Sequence, residues 1–420
     1  EFRRVLFRSN KGNKAKKPEI NEDDELEFLM AAAKANQAKH VEVKKDDKPK
    51  DHPSTLELKD LPRKPSDDFA KNEFPEIEIQ VYNENNGYRS TDAELKEIER
   101  LEYMSTVVPD LREAAEIHRR VRYWAMENVI KPGVNLYEMC QQIEEAVRRL
   151  SGYQPVTRGL AFPCGCSINN CAAHYTPNHN DGRVLQKDDV MKIDFGVNID
   201  GNIIDSAFTV CFDEKYKPLL DASREATNVG IKTAGIDVRL CDIGDAIQEV
   251  FDASSYEING KTYQVKPVCN LSGHSMKQYT IHAGKSIPIC RGGSAERMEE
   301  GELFACETFA TTGKGRVHDQ GDNLSHYMVS PHPQTPRTAQ QRKLLKTLQD
   351  NFSTLAFCPR FIDYIGEKKY QISLRQLCEC RAVNPYPALS DVKGSHVAQF
   401  EHSFILLPTH KEILSRGDDY

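Results

Sequence analysis

The sequence has no apolar run of the roughly 18 residues needed to cross a bilayer. Its longest uncharged stretch, 159–180, is broken by Pro163, Pro177, Ser167 and four Asn, so no membrane association is expected. Excess positive charge is also missing: 56 basic against 63 acidic residues leave a net charge of −7, which gives no case for direct DNA binding through a basic face. The twelve cysteines form no secreted-type framework and are expected to be reduced thiols in the cytosol, most of them small core residues. Cys164, Cys166 and Cys171 lack the Cys-x2-Cys spacing of a zinc site. No Met stands first, and the Arg- and Phe-rich Glu1–Ser9 lacks the order of a signal peptide, so it reads as a cloning or assembly scar.

What is present divides the 420 residues into a tail and one large domain of about 300 residues. Residues 1–92 alternate basic blocks (Lys14–Lys17, Lys44-Lys45) with acidic ones (Glu22–Glu25) and read as a disordered polyampholytic tail. Within it, 24–38 has apolar residues at helical spacing, which suits a local helix or one that folds on a partner. Capping residues at Ser90–Asp92 open a helical pattern, and Pro109-Asp110 sets off a second helix over 108–128. A third helix is expected over 136–150, with Leu136, Met139, Ile143, Ala146 and Val147 as its apolar stripe. Helices over 216–234, 239–253, 338–356 and 373–380, interleaved with strands at 190–212 and 399–407, indicate a mixed α/β layer fold.

Asp194 and Asp205 stand eleven residues apart in a segment that reads as an apolar β-hairpin. Asp200-Gly201 favours a two-residue hairpin turn, which pairs Asp205 with Gly196. Asp194 then becomes a diagonal cross-strand neighbour of Asp205, about 7 Å away at the backbone. Strand alternation sends Ile193, Phe195, Val197 and Ile199 to the opposite, core face. Two carboxylates held this close raise each other's pKa unless a cation supplies counter-charge, and a pair of metal ions about 3.5–4 Å apart suits the geometry.

Further metal-type ligands lie at Gly273-His274, Cys306-Glu307 and Glu401-His402. Mixed oxygen and nitrogen ligands suit first-row divalent ions. In order, Asp194, Asp205, His274, Glu307 and Glu401 resemble the five metal ligands of the methionine aminopeptidases. The surrounding motifs resemble the type 2 enzymes: Gly159-Leu-Ala-Phe-Pro163, Asn169 to Pro177 with Ala-Ala-His174, Lys192-Ile-Asp-Phe-Gly196, Ile281-His-Ala-Gly284, Ser325-His-Tyr-Met328, Asn384-Pro-Tyr386 and Ala398-Gln-Phe-Glu-His402. The resemblance covers about 93–420, and a helical insertion at 329–388 separates type 2 from type 1 relatives.

This resemblance implies a pita-bread fold with pseudo-twofold symmetry, a curved antiparallel sheet flanked by helices. It implies two divalent ions per chain, drawn from Co, Mn, Fe, Zn or Ni: Asp194 on one, His274 and Glu307 on the other, and Asp205 and Glu401 on both. Such ions activate water and polarise the scissile carbonyl, with Glu307 shuttling the proton. His174 would contact the scissile amide, His282 would steady the tetrahedral intermediate, and Phe162, Ile281, His326 and Tyr386 would wall the pocket for the first side chain. The implied activity is removal of N-terminal methionine from nascent proteins with a small second residue. A cytoplasmic monomer follows from the same resemblance, with ribosome and initiation-factor-2 association through the tail.

Two positions depart from the pattern: Asn198 stands where many relatives carry His, and Cys164 where Thr is usual. A prolidase shares the fold and a similar ligand set, but the motifs around His174 and His326 and the polyampholytic tail argue against it. A non-catalytic relative would have lost ligands, and all five are present.

Overall fold

Helices and strands follow one another largely in the order that the sequence patterns suggest. The computed structural model describes residues 52–71, 73–81, 93–258 and 260–420; the local helix expected at 24–38 lies outside the described residues. After a 3-10 turn at Pro53–Thr55 come helix α1 (Pro65–Asp68), strand β1 (Glu78–Val81) and helices α2 (Ala93–Asn128) and α3 (Leu136–Ser151). Strands β2 (Arg158–Ile168), β3 (Cys171–Ala173), β4 (Met191–Ile199) and β5 (Asn202–Val210) precede helices α4 (Lys217–Thr233) and α5 (Leu240–Ala253). The chain continues through β6 (Ser255–Ile258), β7 (Lys261–Gln264), β8 (Lys266–Pro267), β9 (Ser272–Met276), β10 (Ser286–Pro288), β11 (Leu303–Thr311) and β12 (His318–Val329). Helices α6 (Ala339–Phe352), α7 (Pro359–Tyr364) and α8 (Gln371–Glu379) then intervene before β13 (Val383–Ser390), β14 (Val397–Leu406) and β15 (His410–Ile413).

All named strand pairs are antiparallel. The largest sheet runs β1-β15-β14-β11-β9-β10, and a second runs β2-β4-β5. Where β5 meets β14, hydroxyl groups join the two sheets in place of a backbone ladder. Ser206 Oγ donates to Glu401 O at 2.7 Å, and Ser403 Oγ donates to Asp205 O at 2.7 Å while accepting from Asp205 N at 2.9 Å. Thr209 Oγ1 donates to Gln399 O and accepts from Gln399 N, both at 2.7 Å. These bonds satisfy backbone groups that would be costly to bury unpaired.

Helices α4 and α5 cover the large sheet, packing Leu219, Ala226, Ile243 and Ile247 against Phe304, Phe309 and Phe404. Helix α3 buries the expected stripe Leu136, Met139, Ile143, Ala146 and Val147. Asn135 caps its first turn by accepting from Tyr137 N and Glu138 N, and Gly152 closes it in the left-handed region at φ 65°.

Three expectations need correction. The tail does not extend unbroken to residue 92: β1 pairs with β15, Trp124 Nε1 donates to Lys59 O at 2.8 Å, and Arg416 Nε donates to Glu78 Oε2 at 2.7 Å. Backbone pairing at a sheet edge needs no apolar pattern, so polar composition concealed this strand. Pro109 does not separate two helices but lies inside α2. Its cost of about 3 kcal/mol is offset by burial of Val108 and Leu111 and by Asp110, which meets Lys71 Nζ at 2.9 Å and Asn202 Nδ2 at 3.2 Å. Finally, Cys269 and Cys290 form a disulfide, whereas ten cysteines are free. Their separation of 21 residues carries no motif, and β9 and β10 bring them together.

The inserted helices are tied to the rest of the chain by a buried ion pair. Arg360 Nη2 on α7 donates at 2.6 Å to both Glu144 Oε1 on α3 and Thr176 Oγ1, and its Nη1 donates to Pro177 O. Removing one partner leaves an uncompensated buried charge, so Arg360→Met is expected to cost about 3–5 kcal/mol of unfolding free energy. The double variant Arg360→Met/Glu144→Met should recover most of that loss in urea unfolding; equal losses in single and double variants would refute the coupling.

Candidate metal centre

Asp200 and Gly201 adopt φ values of 50° and 85°, as a two-residue hairpin turn between β4 and β5 requires. The register pairs Gly196 with Asp205 and Asp194 with Ala207, so the two carboxylates are diagonal neighbours on one face. Ile193, Phe195, Val197 and Ile199 are fully buried on the other. Glycine at 196 has a steric reason: a Cβ there would lie 2.3 Å from Phe162 Cε1.

The second pair of acids comes from the large sheet. Glu307 on β11 stands opposite Glu401 on β14, and His274 on β9 stands opposite Ala305, two residues before Glu307 and on its face. Ligand atoms of Asp205, His274 and Glu401 all lie within 4.8 Å of one another. Gln399 Nε2 joins the other two acids to this group, donating at 2.9 Å to Glu307 Oε2 and at 3.4 Å to Asp194 Oδ2 and Glu401 Oε2.

Burial first, and repulsion from the neighbouring acids second, push Asp194, Glu307 and Glu401 well above the usual carboxylate range. Burial raises Asp205 to about 7. Asp194 Oδ1 is buried without any hydrogen-bond partner. Four acids and an imidazole lining one cavity, with no Lys or Arg among its lining residues, fit divalent metal ions, which would take the orphaned oxygen and the excess charge.

All eleven residues singled out from the sequence line one cavity of about 100 Å³: Phe162, His174, Asp194, Asp205, His274, Ile281, His282, Glu307, His326, Tyr386 and Glu401. That space is on the scale of one side chain rather than a folded segment. His174, at φ 63°, follows β3 in the left-handed region and brings its ring 6.0 Å from His326 and 6.4 Å from Tyr386. The His282 ring lies 4.2 Å from that of His274. Burial lowers His174 and His274 to about 4, and His282 and His326 to about 3. These imidazoles are therefore neutral near pH 7, each with one N–H to donate.

Leu271, Phe309, Met328, Ala356 and Gln399 also line the cavity but carry no assignment from sequence. Gln399 was within reach, because it precedes Glu401 by two residues and so shares its face in a strand. Neither departure from the family pattern touches the cavity. Asn198 serves the hairpin turn, donating to Val156 O at 2.6 Å and accepting from Gly201 N at 2.7 Å. Cys164 is buried, with its N–H donated to Glu144 Oε1 at 3.1 Å.

Metallopeptidase family M24 matches residues 109–326. Methionine aminopeptidase 2A of Arabidopsis thaliana is 52% identical over 356 residues, covering 84% of this chain and 79% of that protein. The chain belongs to the M24 metallopeptidase family, on its methionine aminopeptidase 2 branch. Methionine aminopeptidase 2 of Komagataella phaffii is 49% identical over 357 residues, with 84% and 79% covered. A solved thermophilic Arx1 shares the fold at a TM-score of 0.63 and 16% identity, covering 75% of this chain and 91% of its own. The pita-bread expectation agrees with this family membership and with the antiparallel α/β architecture. Among the described residues no helix is long and apolar enough to cross a membrane.

The raised carboxylate pKa values set a pH dependence. In the metal-free protein the folded acids hold protons to higher pH than unfolded Asp and Glu, which titrate near about 4. Their stability contribution is thus complete below about pH 4 and is lost as pH rises through the folded values. Above about pH 6.5, where the buried neutral histidines no longer add stability as pH rises, the Tm of chelator-treated protein should fall toward pH 8, and saturating Mn²⁺ should abolish that fall. A metal-free Tm that does not change over this range would contradict the repulsion argument.

Proposed function

We propose that this chain removes the N-terminal methionine from nascent proteins whose second residue is small, using two divalent ions. The observation that carries this reading is the convergence of all five expected ligands on one buried cavity that also holds three further neutral histidines, His174, His282 and His326, and aromatic walls. Asp194 would serve one ion, His274 and Glu307 the other, and Asp205 and Glu401 both. When bound, the ions supply Lewis-acid polarisation of the scissile carbonyl and an acidified water near neutral pH.

The protein groups do the rest. Phe162, Ile281, His326 and Tyr386 hold the first side chain in a slot suited to an unbranched thioether. His174, neutral through burial, donates its N–H to the scissile amide and orients the leaving nitrogen, while the His282 N–H steadies the oxyanion. Glu307 takes a proton from the attacking water and passes it to the leaving amine. Because the slot ends at the ligands, a free chain terminus is the part of a peptide that fits, which makes the reaction an exopeptidase cleavage.

A cytoplasmic monomer acting on nascent chains belongs to the same proposal, as does ribosome or initiation-factor-2 association through the N-terminal tail. Metal-free protein reconstituted with Mn²⁺ or Co²⁺ should release methionine from Met-Ala-Ser and not cleave an Xaa-Pro dipeptide. Asp205→Asn should lower kcat by at least about 100-fold, roughly 2.7 kcal/mol of barrier. Absence of release with any metal would reject the reading, and preference for Xaa-Pro would favour a prolidase.

A further inference from the structure

Gln399 lies at the centre of the acid cluster, yet no role follows for it from the reaction as proposed. On β14 it precedes Glu401 by two residues, so both side chains share one face. Its amide nitrogen reaches one oxygen on each of three acids: Glu307 at 2.9 Å, and Asp194 and Glu401 at 3.4 Å each. Among the described residues no other side-chain N–H is bonded to those three carboxylates. The amide turns its nitrogen toward these acids, which only accept once ionised as metal ligands, and its Oε1 is left buried without a partner.

The donor's chemistry fits the place. A lysine or arginine here would cancel the negative charge that attracts cations and would compete with them for oxygen. A carboxamide instead supplies two N–H groups, at least one of them shared between two of the three acids, and no net charge, so it can hold the acids together while leaving their charge intact. The Gln399 backbone is fixed separately, since both its N–H and its carbonyl meet Thr209 Oγ1 at 2.7 Å. A change of side chain therefore leaves the β5–β14 joint in place.

We propose that Gln399 is a positioning residue for the two cations: it ties down one oxygen of Asp194, Glu307 and Glu401 so that repulsion cannot rotate these ligands apart. This rests on the metal-dependent reading above. Without the tie, each ion would have to order its ligands on binding, which weakens affinity and misplaces the acids in the reaction.

The test is calorimetric titration of Mn²⁺ into metal-free full-length wild type and Gln399→Met, a variant of similar length without an N–H. The expected result is binding weakened about 10–100-fold, with kcat for Met-Ala-Ser reduced in parallel and KM little changed. Gln399→Asn keeps the donor one methylene short and should fall between the two. Wild-type Mn²⁺ affinity and kcat in Gln399→Met would overturn the inference. If that variant fails to fold, wild-type affinity in Gln399→Asn would overturn it just as well. A wild-type protein that neither binds Mn²⁺ nor releases methionine would instead overturn the functional reading, and this inference with it.

Discussion

Four carboxylates share one buried cavity, and their mutual repulsion is the constraint around which the rest of the structure is arranged. Two unit charges about 4 Å apart at an effective dielectric of 20 repel by about 4 kcal/mol, and Asp194, Asp205, Glu307 and Glu401 all lie close together. Such a cluster cannot stabilise the fold by itself. It exists because rigid surroundings hold it, and it is relieved either by protons, as the raised pKa values indicate, or by metal ions.

The surroundings hold it by strand register. A hairpin turn fixes Asp194 against Asp205, and a separate long-range pairing fixes Glu307 against Glu401. Neither pair can shift by one residue without turning its acids into the core and its apolar side chains into the cavity. The two pairs come from different sheets, so their relative placement depends on the hydroxyls of Ser206, Thr209 and Ser403, which bind backbone groups across the joint. Small hydroxyl residues suit this role because they satisfy a buried carbonyl while letting the strands approach closely.

Legibility from sequence followed the range of the interactions. The Asp194–Asp205 hairpin could be derived residue by residue because a local turn sets its register. Glu307, Glu401 and His274 lie on strands joined across long stretches of chain, so only their order and neighbouring motifs marked them. Interactions without a composition signal were missed. Strand β1 is held by backbone pairing, Pro109 is tolerated because its surroundings are buried, and Cys269 meets Cys290 only through the folding of β9 and β10. Cys164 lies between the cavity-lining Pro163 and Gly165, but its own side chain is turned into the core.

The inserted helices take part in the same arrangement. Ala356, between α6 and α7, lines the cavity, and Arg360 on α7 grips Glu144, whose carboxylate also accepts the N–H of Cys164. Cys164 follows Phe162 and Pro163, which form the cavity wall, and Phe162 in turn lies over Gly196 beside the metal ligands. A continuous chain of contacts thus runs from the insertion through a buried ion pair to the pocket and on to the acid hairpin. The insertion, the pocket wall and the metal-ligand hairpin share one packed wall built on β2 and β4, in which no inserted residue needs to touch a ligand.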